Sequence, residues 1–277
     1  MPNRPSGRPP RRPPRPTDPG RREHRPDRER HGLGGEQVEG RQAVAELLRA
    51  RRRRTRDVWL AEDLDAAAIL DEIVDLANRQ NVPIRRVARP RLEGAAKTDA
   101  PQGVVAHADA LPEAEYDDLL RPQPMPFLLA LDGVTDPQNL GALLRSAEAA
   151  GATGAVLPRH RAVHVTPTVA KAAAGAIERV PLAVVVGLPA AISQAKDAGV
   201  WVVGLVTESG QDLFQQRLGD GPVMAVLGSE GAGLSRLVRE RCDVLATIPL
   251  RGALTSLNVS AAGAVALFEL ARQRENH

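Results

Sequence analysis

Residues 223–250 read VMAVLGSEGAGLSRLVRERCDVLATIPL (Val223 to Leu250). An apolar run, VMAVLG, gives way to a glycine-rich turn, GSEGAG (Gly228 to Gly233), then to a charged helical stretch and a second apolar run, VLATIPL. Strands that alternate apolar and polar residues have one wet face; strands apolar at nearly every position are covered on both. Strand, loop, helix and strand in succession is the repeating unit of a parallel sheet. The pattern extends upstream through FLLALDG, GAVLP, PLAVVV and VWVVGLV, separated by helical stretches at Leu140 to Ala150, Thr168 to Gly175 and Leu188 to Ala198. The expected fold is therefore α/β with a parallel sheet.

Outward from this core the chain changes character. RPQPMP (Arg121 to Pro126) has three Pro in six positions and no apolar periodicity, which predicts a linker at 121–126 between a catalytic-sized domain at 127–277 and a smaller unit at 32–120. The smaller unit reads as a helix over Val38 to Arg53, a strand RDVWLA, an amphipathic helix over Ala66 to Asn81, and short strands PIRRVA and QGVVAHA. Residues 1–31 hold ten Arg, nine Pro and four acidic residues, whereas the whole chain carries only +3. Such a segment cannot bury a core, so a disordered basic tail is expected, suited to loose phosphate contact or inert. With 34 Arg against three Lys, part of this basicity is a bias of composition. Arg49, Arg51 to Arg54 and Arg56 form a second basic cluster able to meet phosphates.

Composition also excludes. A single cysteine, Cys242, rules out a disulfide framework and a multi-thiolate zinc site. His160 and His164 have metal-ligand spacing but no third ligand, so no metal is expected. No run reaches the roughly 18 apolar residues of a membrane span, and the start of the chain lacks an apolar signal core, which points to a cytoplasmic protein. Aromatic residues make up 2% of the chain, which argues against an aromatic stacking platform for single-stranded RNA.

Three segments carry candidate chemistry. In SLNVS (Ser256 to Ser260), Ser256 and Asn258 sit where a helix begins, and a helix N-terminus presents unpaired N–H groups and partial positive charge. In DPQNLGALLRSAEAAG (Asp136 to Gly151), Asp136-Pro137 starts a helix on which Gln138, Gly141 and Arg145 share a face, expected to be open to a ligand at Gly141. In GSEGAG the spacing is G-x-x-G-x-G rather than the dinucleotide fingerprint, and no Lys-Ser or Lys-Thr follows to make a phosphate loop. Its acid, Glu230, could hold a ribose hydroxyl, hold a substrate group, or cap the next helix.

Taken in order, LDGVTDPQNLGALLRSAEAAG, VMAVLGSEGAGLSRLVRERCDVLATIPL and SLNVS resemble the three motifs of the SpoU (TrmH) family of RNA ribose methyltransferases, over roughly the last 150 residues. The resemblance implies a knotted trefoil domain, a homodimer, and S-adenosylmethionine as cofactor, cradled at Gly228, Ile248 and Leu257. It also implies that Asn139 and Arg145 serve the RNA and the reaction and that Ser256 and Asn258 lie near the methyl-transfer centre; with Glu230 these make five candidate catalytic residues. In the family pattern Arg145 is the candidate base; because a guanidinium is a poor proton acceptor, stabilising the developing alkoxide or gripping a phosphate is the preferred role. Leu250 stands where the family more often has Met, a swap that nearly conserves volume. VEGRQAVAELL (Val38 to Leu48) and QGVVA resemble the small RNA-binding unit of the ribosomal RNA members.

The resemblance therefore implies 2′-O-methylation of a guanosine in 23S ribosomal RNA. The rivals are the same reaction on transfer RNA, a drug-resistance methyltransferase on ribosomal RNA, and a non-catalytic RNA-binding or assembly protein with the same fold. A nucleotide-dependent oxidoreductase is disfavoured by the glycine spacing.

Overall fold

The computed structural model describes residues 33–121, 123–159, 165–253 and 255–275. The basic tail at 1–31 and the pair His160 and His164 lie outside the described residues.

The chain first builds a small mixed sheet. Its elements are β1 (Gln37–Glu39), α1 (Arg41–Ala50), β2 (Thr55–Ala61), α2 (Ala68–Arg79), β3 (Ile84–Val87), α3 (Arg89–Ala95) and β4 (Val104–Ala108). Sheet order is β1-β4-β2-β3, antiparallel except for β2 with β3. Val58 and Leu60 of β2 and Val104, Ala106 and Ala108 of β4 bury one face under Val44, Leu47 and Leu48 of α1 and Leu70 and Ile73 of α2. The helix expected from Val38 to Arg53 is shorter than its apolar pattern: Val38 belongs to edge strand β1, Gly40 at φ 96° turns the chain into α1, and Arg51 at φ 52° closes it. The pattern misleads because Val38, like Val44 and Leu48, is buried in the same core, so strand and helix merge into one periodicity.

The second sheet has seven strands. α4 (Tyr116–Leu119) precedes β5 (Phe127–Asp132), α5 (Pro137–Ala149), β6 (Gly154–Pro158), α6 (Pro167–Ala172), β7 (Leu182–Val185), α7 (Leu188–Asp197), β8 (Trp201–Leu205), β9 (Gln211–Asp212), β10 (Val223–Gly228), α8 (Arg236–Arg241), β11 (Val244–Thr247) and α9 (Val259–Arg274). Sheet order is β7-β6-β5-β10-β8-β11-β9 with every neighbouring pair parallel. The continuous apolar runs have the expected cause. Phe127, Leu129 and Leu131 of β5 face the layer of α5 and α9, while Leu128 and Ala130 face that of α7 and α8. β10 divides in the same way, with Val223, Ala225 and Leu227 on one side and Met224 and Val226 on the other. Leu119 and Leu120, just before the proline-rich stretch, pack into this larger sheet's core.

Two contacts fix the parts that bear on function. α9 lies against α5 so closely that a Cβ at Gly263 would stand 2.2 Å from Leu143 Cδ2. The small sheet is tied to the large one by a buried ion pair. Arg53 donates from Nε (3.1 Å) and from a terminal nitrogen (2.5 Å) to the two oxygens of Glu178, and its other terminal nitrogen donates to the carbonyls of Gly35 and Asp109, each at 2.7 Å. Both side chains are almost wholly buried.

Candidate active site

A cavity of about 560 Å3 is lined by the last residues of β8 (Leu205) and β10 (Leu227, Gly228), by Ile248 just beyond β11, and by the loop that leads into α9. These are the carboxyl ends of parallel strands, where α/β sheets leave room for ligands. Strand ends supply its floor and glycine-rich backbone one wall: Ser229 and Gly233 exchange backbone hydrogen bonds (3.1 and 2.9 Å) that fold residues 229–233 into a tight loop. The amide of Ser235 donates to Asp132 Oδ2 at 2.6 Å and anchors that loop to the end of β5.

Beside the cavity, three segments meet in one hydrogen-bonded cluster. Asp136 caps α5 by accepting from the amides of Gln138 and Asn139, which sets Asn139 as the third residue of the helix, buried. Asn139 Nδ2 donates to Glu230 Oε1 at 2.9 Å. Asn258 Nδ2 donates to the same Glu230 oxygen at 2.8 Å and to Asn139 Oδ1 at 3.1 Å. Asn258 Oδ1 meanwhile caps α9, accepting from the amides of Ser260 (2.8 Å) and Ala261 (3.4 Å). One asparagine thus starts a helix and, with its other end, fixes a carboxylate 28 residues away. Glu230 is exposed, and its Oε2 accepts no hydrogen bond from the described residues. A carboxylate with one oxygen held by two amides and the other free is oriented to take a hydroxyl proton or a ribose hydroxyl.

Sequence comparisons converge on the same segments. The model of the SpoU rRNA Methylase family matches residues 126–268, and that described as RNA 2'-O ribose methyltransferase substrate binding matches residues 37–114. The chain is 40% identical over 244 residues to the 23S rRNA (guanosine-2'-O-)-methyltransferase RlmB of Pseudomonas putida, covering 87% of this chain and 97% of that protein. It is 42% identical over 245 residues to the protein of the same name from Pseudomonas syringae pv. tomato, covering 86% and 96%. This chain belongs to the SpoU rRNA methylase family. Among solved structures, the SpoU methyltransferase AviRb from Streptomyces viridochromogenes in complex with the cofactor AdoMet superposes with a TM-score of 0.70 at 25% identity, covering 86% of this chain and 90% of that one.

For a SpoU family chain, the eight candidate residues fall into two groups. Gly228, Glu230, Ile248, Ser256, Leu257 and Asn258 line the cavity, and Asn139 joins them through Glu230 and Asn258. Arg145 is not among the residues lining the cavity; it lies exposed on α5, two turns in, and makes no hydrogen bond or ion pair with the described residues. The expectation of a ligand-open surface at Gly141 needs correcting. A Cβ there would stand 2.4 Å from Ala172 Cβ and 2.8 Å from the Ala173 amide, because Gly141 is where α5 and α6 cross at close range. Gly228 also differs from a simple cradle: its missing Cβ makes room for the Gly233 carbonyl carbon, 2.1 Å from where that Cβ would be.

Most of the basic cluster of the small unit has partners within the chain. Arg49 pairs with Glu46 and Glu72, Arg53 with Glu178 and Arg56 with Asp109, while Arg52 donates to the Val180 carbonyl. Only Arg51 and Arg54 of the six are exposed without such a partner among the described residues. Most of the run holds the structure together.

The sequence reading missed Glu208 and Arg239, both exposed on the cavity wall. Glu208 could have been found, since TES (Thr207 to Ser209) follows directly on the carboxyl end of a parallel strand. Arg239 could not: in a charged helix nothing local distinguishes it from Arg236 or Arg241. Among the described residues no group of three or more His, Cys, Asp or Glu is arranged to hold a metal, and no helix is long and apolar enough to cross a membrane.

Proposed function

We infer that this chain methylates the 2′-hydroxyl of an RNA ribose with S-adenosylmethionine as methyl donor, and that its target is a guanosine of 23S ribosomal RNA. The observation that carries this reading is the meeting of three segments, distant in sequence, at one cavity, joined by Asn139, Glu230 and Asn258. Relatives at 40–42% identity over nearly their whole length are named for that reaction.

The residues present suit the cofactor. The volume lies within the roughly 300–1,000 Å3 of small-molecule sites. A Cβ on Gly231 or Gly233 would meet nothing within 4 Å, so the glycine loop leaves free space beside the wall. Ile248, Leu257 and Leu234 give apolar surface, and Glu208, Arg239, Thr255 and Ser256 give polar groups of both signs, matched to a molecule with a base, a ribose and a zwitterionic amino-acid end. S-adenosylmethionine supplies a methyl group already activated by its sulfonium. What remains for the chain is to align the attacking hydroxyl, worth up to roughly 7–11 kcal/mol when reacting groups are well placed, and to manage its proton.

Glu230 fits that second task. Asn139 and Asn258 fix the carboxylate by Oε1, so Oε2 is the acceptor that a ribose hydroxyl meets. Arg145, with no side-chain partner among the described residues, is placed to stabilise a developing alkoxide or to grip a neighbouring phosphate. The reading includes a homodimer, supported by the apolar outer side of α9, where Phe268 is 50% exposed and Ala261 is open to solvent. It includes the family's knotted threading of the chain after Val223, supported by the insertion of β10 between β5 and β8. It places the protein in the cytoplasm, where ribosomal RNA is modified.

The test is transfer of a labelled methyl group from S-adenosylmethionine to 23S ribosomal RNA fragments, with transfer RNA in a parallel arm and nucleoside analysis of the product. Labelled 2′-O-methylguanosine from the 23S arm is expected. Label confined to transfer RNA, or none in either arm, overturns the assignment.

A further inference from the structure

The small sheet buries one face under α1 and α2 and leaves part of the other open. Register sets Asp57 opposite His107, and Trp59 opposite both Arg85 and Val105. Alternation along the strands then puts these side chains together on the second face. Towards one end, Leu92 of α3 covers Ala61, Val87 and Val105. Towards the other, the polar and aromatic residues stay accessible: Trp59 and His107 are partly exposed, Arg85 and Arg91 exposed.

This group is ordered by its own contacts. Asp57 is the hub, with Oδ1 2.6 Å from His107 Nδ1 and Oδ2 accepting from Trp59 Nε1 at 3.1 Å and pairing with Arg85 Nε at 3.3 Å. The Trp59 and His107 rings meet edge-on, centroids 5.4 Å apart at 72°. Arg91, from α3, holds its guanidinium 5.6 Å from the Trp59 ring centroid, within cation–π range. No carboxylate pairs with Arg91 among the described residues. The indole spends its one donor on Asp57, and the Asp57 charge is met by three donors. What the face offers outward is flat π surface and unpaired guanidinium N–H groups.

That combination matches one nucleotide. A base can stack on an aromatic ring or on a guanidinium plane, and its phosphate can take the N–H fork beside it. An acidic peptide would use the cations but not the flat stack. We propose that the Trp59–Arg91 pair, flanked by Arg85 and His107, docks an unpaired nucleotide of the RNA substrate, away from the methyl-transfer cavity. The proposal rests on the RNA-methylating function inferred above. It also gives the chain's low aromatic content a different meaning, since one well-placed indole suffices where an extended platform is lacking.

The test uses the full chain in a Trp201→Phe background, which leaves Trp59 as the sole tryptophan. Single-stranded 23S fragments are titrated at fixed salt, because phosphate contacts make affinity salt-dependent. Trp59 emission is expected to quench on binding. Trp59→Ala and Arg91→Glu should each weaken RNA binding by about five- to a hundredfold and raise KM for RNA, with S-adenosylmethionine affinity and kcat unchanged. Trp59→Phe should restore most of the loss, which a merely structural role for the indole hydrogen bond would not allow. Arg91 is exposed and its guanidinium lies over the Trp59 ring, so Arg91→Glu remains decisive should Trp59→Ala fail to fold. Unchanged RNA affinity and KM in Arg91→Glu overturns the proposal while leaving the methyltransferase reading intact. Weaker binding to protein-containing ribosomal particles alone, with naked RNA unaffected, overturns it too by assigning the face to a protein. A wild-type chain that neither binds nor methylates RNA sinks the underlying function and this site with it.

Discussion

Glu178 and Glu230 make an instructive pair. Both are carboxylates in short connecting segments, and both are gripped by side chains from far along the sequence, Glu178 by Arg53 and Glu230 by Asn139 and Asn258. Glu178 is sealed: both oxygens meet one guanidinium, and both side chains are almost wholly buried. Glu230 is open: one oxygen is held, the other is not, and the residue borders the cavity. A buried carboxylate with every acceptor matched holds parts together and has nothing left for a substrate. An exposed carboxylate fixed at one oxygen by neutral amides keeps its orientation and a vacant acceptor, which is what acid–base chemistry requires.

The largest effect that would break this contrast lies in the sealed pair. Removing one partner strands the other charge in the interior, so Arg53→Ala or Glu178→Ala should each lower unfolding free energy by about 3–5 kcal/mol. The measurement is the urea midpoint at constant slope. Replacing both by apolar residues of similar volume should recover much of the loss. A single-variant cost below about 1 kcal/mol, the size of a surface pair, would mean that the pair is not sealed in solution.

At the open carboxylate the expected effect shifts from stability to rate. Glu230→Gln keeps an amide oxygen to accept from Asn139 and Asn258 but removes the charge, so the urea midpoint should hold while single-turnover methyl transfer drops by about 10²–10⁴. Arg145→Ala should lower transfer by about 10²–10³ with cofactor affinity unchanged, if its guanidinium acts on the transition state. Arg145→Lys then divides its two roles. A point charge should keep partial activity if the role is electrostatic, and little if a planar two-point grip on phosphate is needed. Wild-type rates in Glu230→Gln would reduce Glu230 to a second Glu178.

These two clusters also show how far the sequence could be read. The parallel sheet was legible because β5 and β10 are apolar on both faces, and that property survives in one dimension. Of the cavity residues, Asn258 was legible locally because it lies at a helix start, which cap chemistry marks, whereas Gly228, Ile248 and Leu257 were legible only through the resemblance to the family's motifs. Asn139 was legible only as part of a motif; that it holds Glu230 depends on α5 and α9 lying together, which Leu143 and Gly263 decide. The ion pairs of the arginines of 49–56 were not legible because charge density says nothing of where the carboxylates are, and theirs come from α1 itself, α2, the loop after β4 and the segment before β7. Trp59 was passed over for the opposite reason, since its setting comes from three other elements.

A smaller effect tests whether Asn258 unites the two halves of its role. Its Oδ1 caps α9 and its Nδ2 holds Glu230. Asn258→Ala should cost about 0.5–2 kcal/mol of stability through the lost cap and lower methyl transfer as well. Asn258→Asp separates the two, because a carboxylate still caps the helix but cannot donate to Glu230 and places like charge beside it. Stability close to wild type with depressed transfer is expected in Asn258→Asp. Equal loss in both variants would tie the activity to the helix start rather than to the carboxylate.

The smallest effect concerns Cys242, where burial alone sets the chemistry. The thiol packs against Gly204, donates weakly to the Val238 carbonyl at 3.3 Å, and is pushed up to about 12, first by burial and then by the neighbouring charge of Asp243. Folding therefore favours the protonated thiol. Its contribution to stability is fully present below the ordinary thiol value of 9.0 and is lost as pH rises from there towards 12. Between pH 7 and 8 the stability curve should show no step from this group. The measurable consequence is reactivity, since the thiolate is the nucleophile. At pH 8 the folded chain should alkylate with iodoacetamide about a thousandfold more slowly than the urea-unfolded chain, in proportion to the thiolate present. Alkylation of the folded chain at the unfolded rate would show that the segment between α8 and β11 opens readily. Because Ser235, at the start of that helix, is held by Asp132, such opening would also loosen the glycine loop that carries Glu230 and make the open carboxylate far less fixed than its two asparagines suggest.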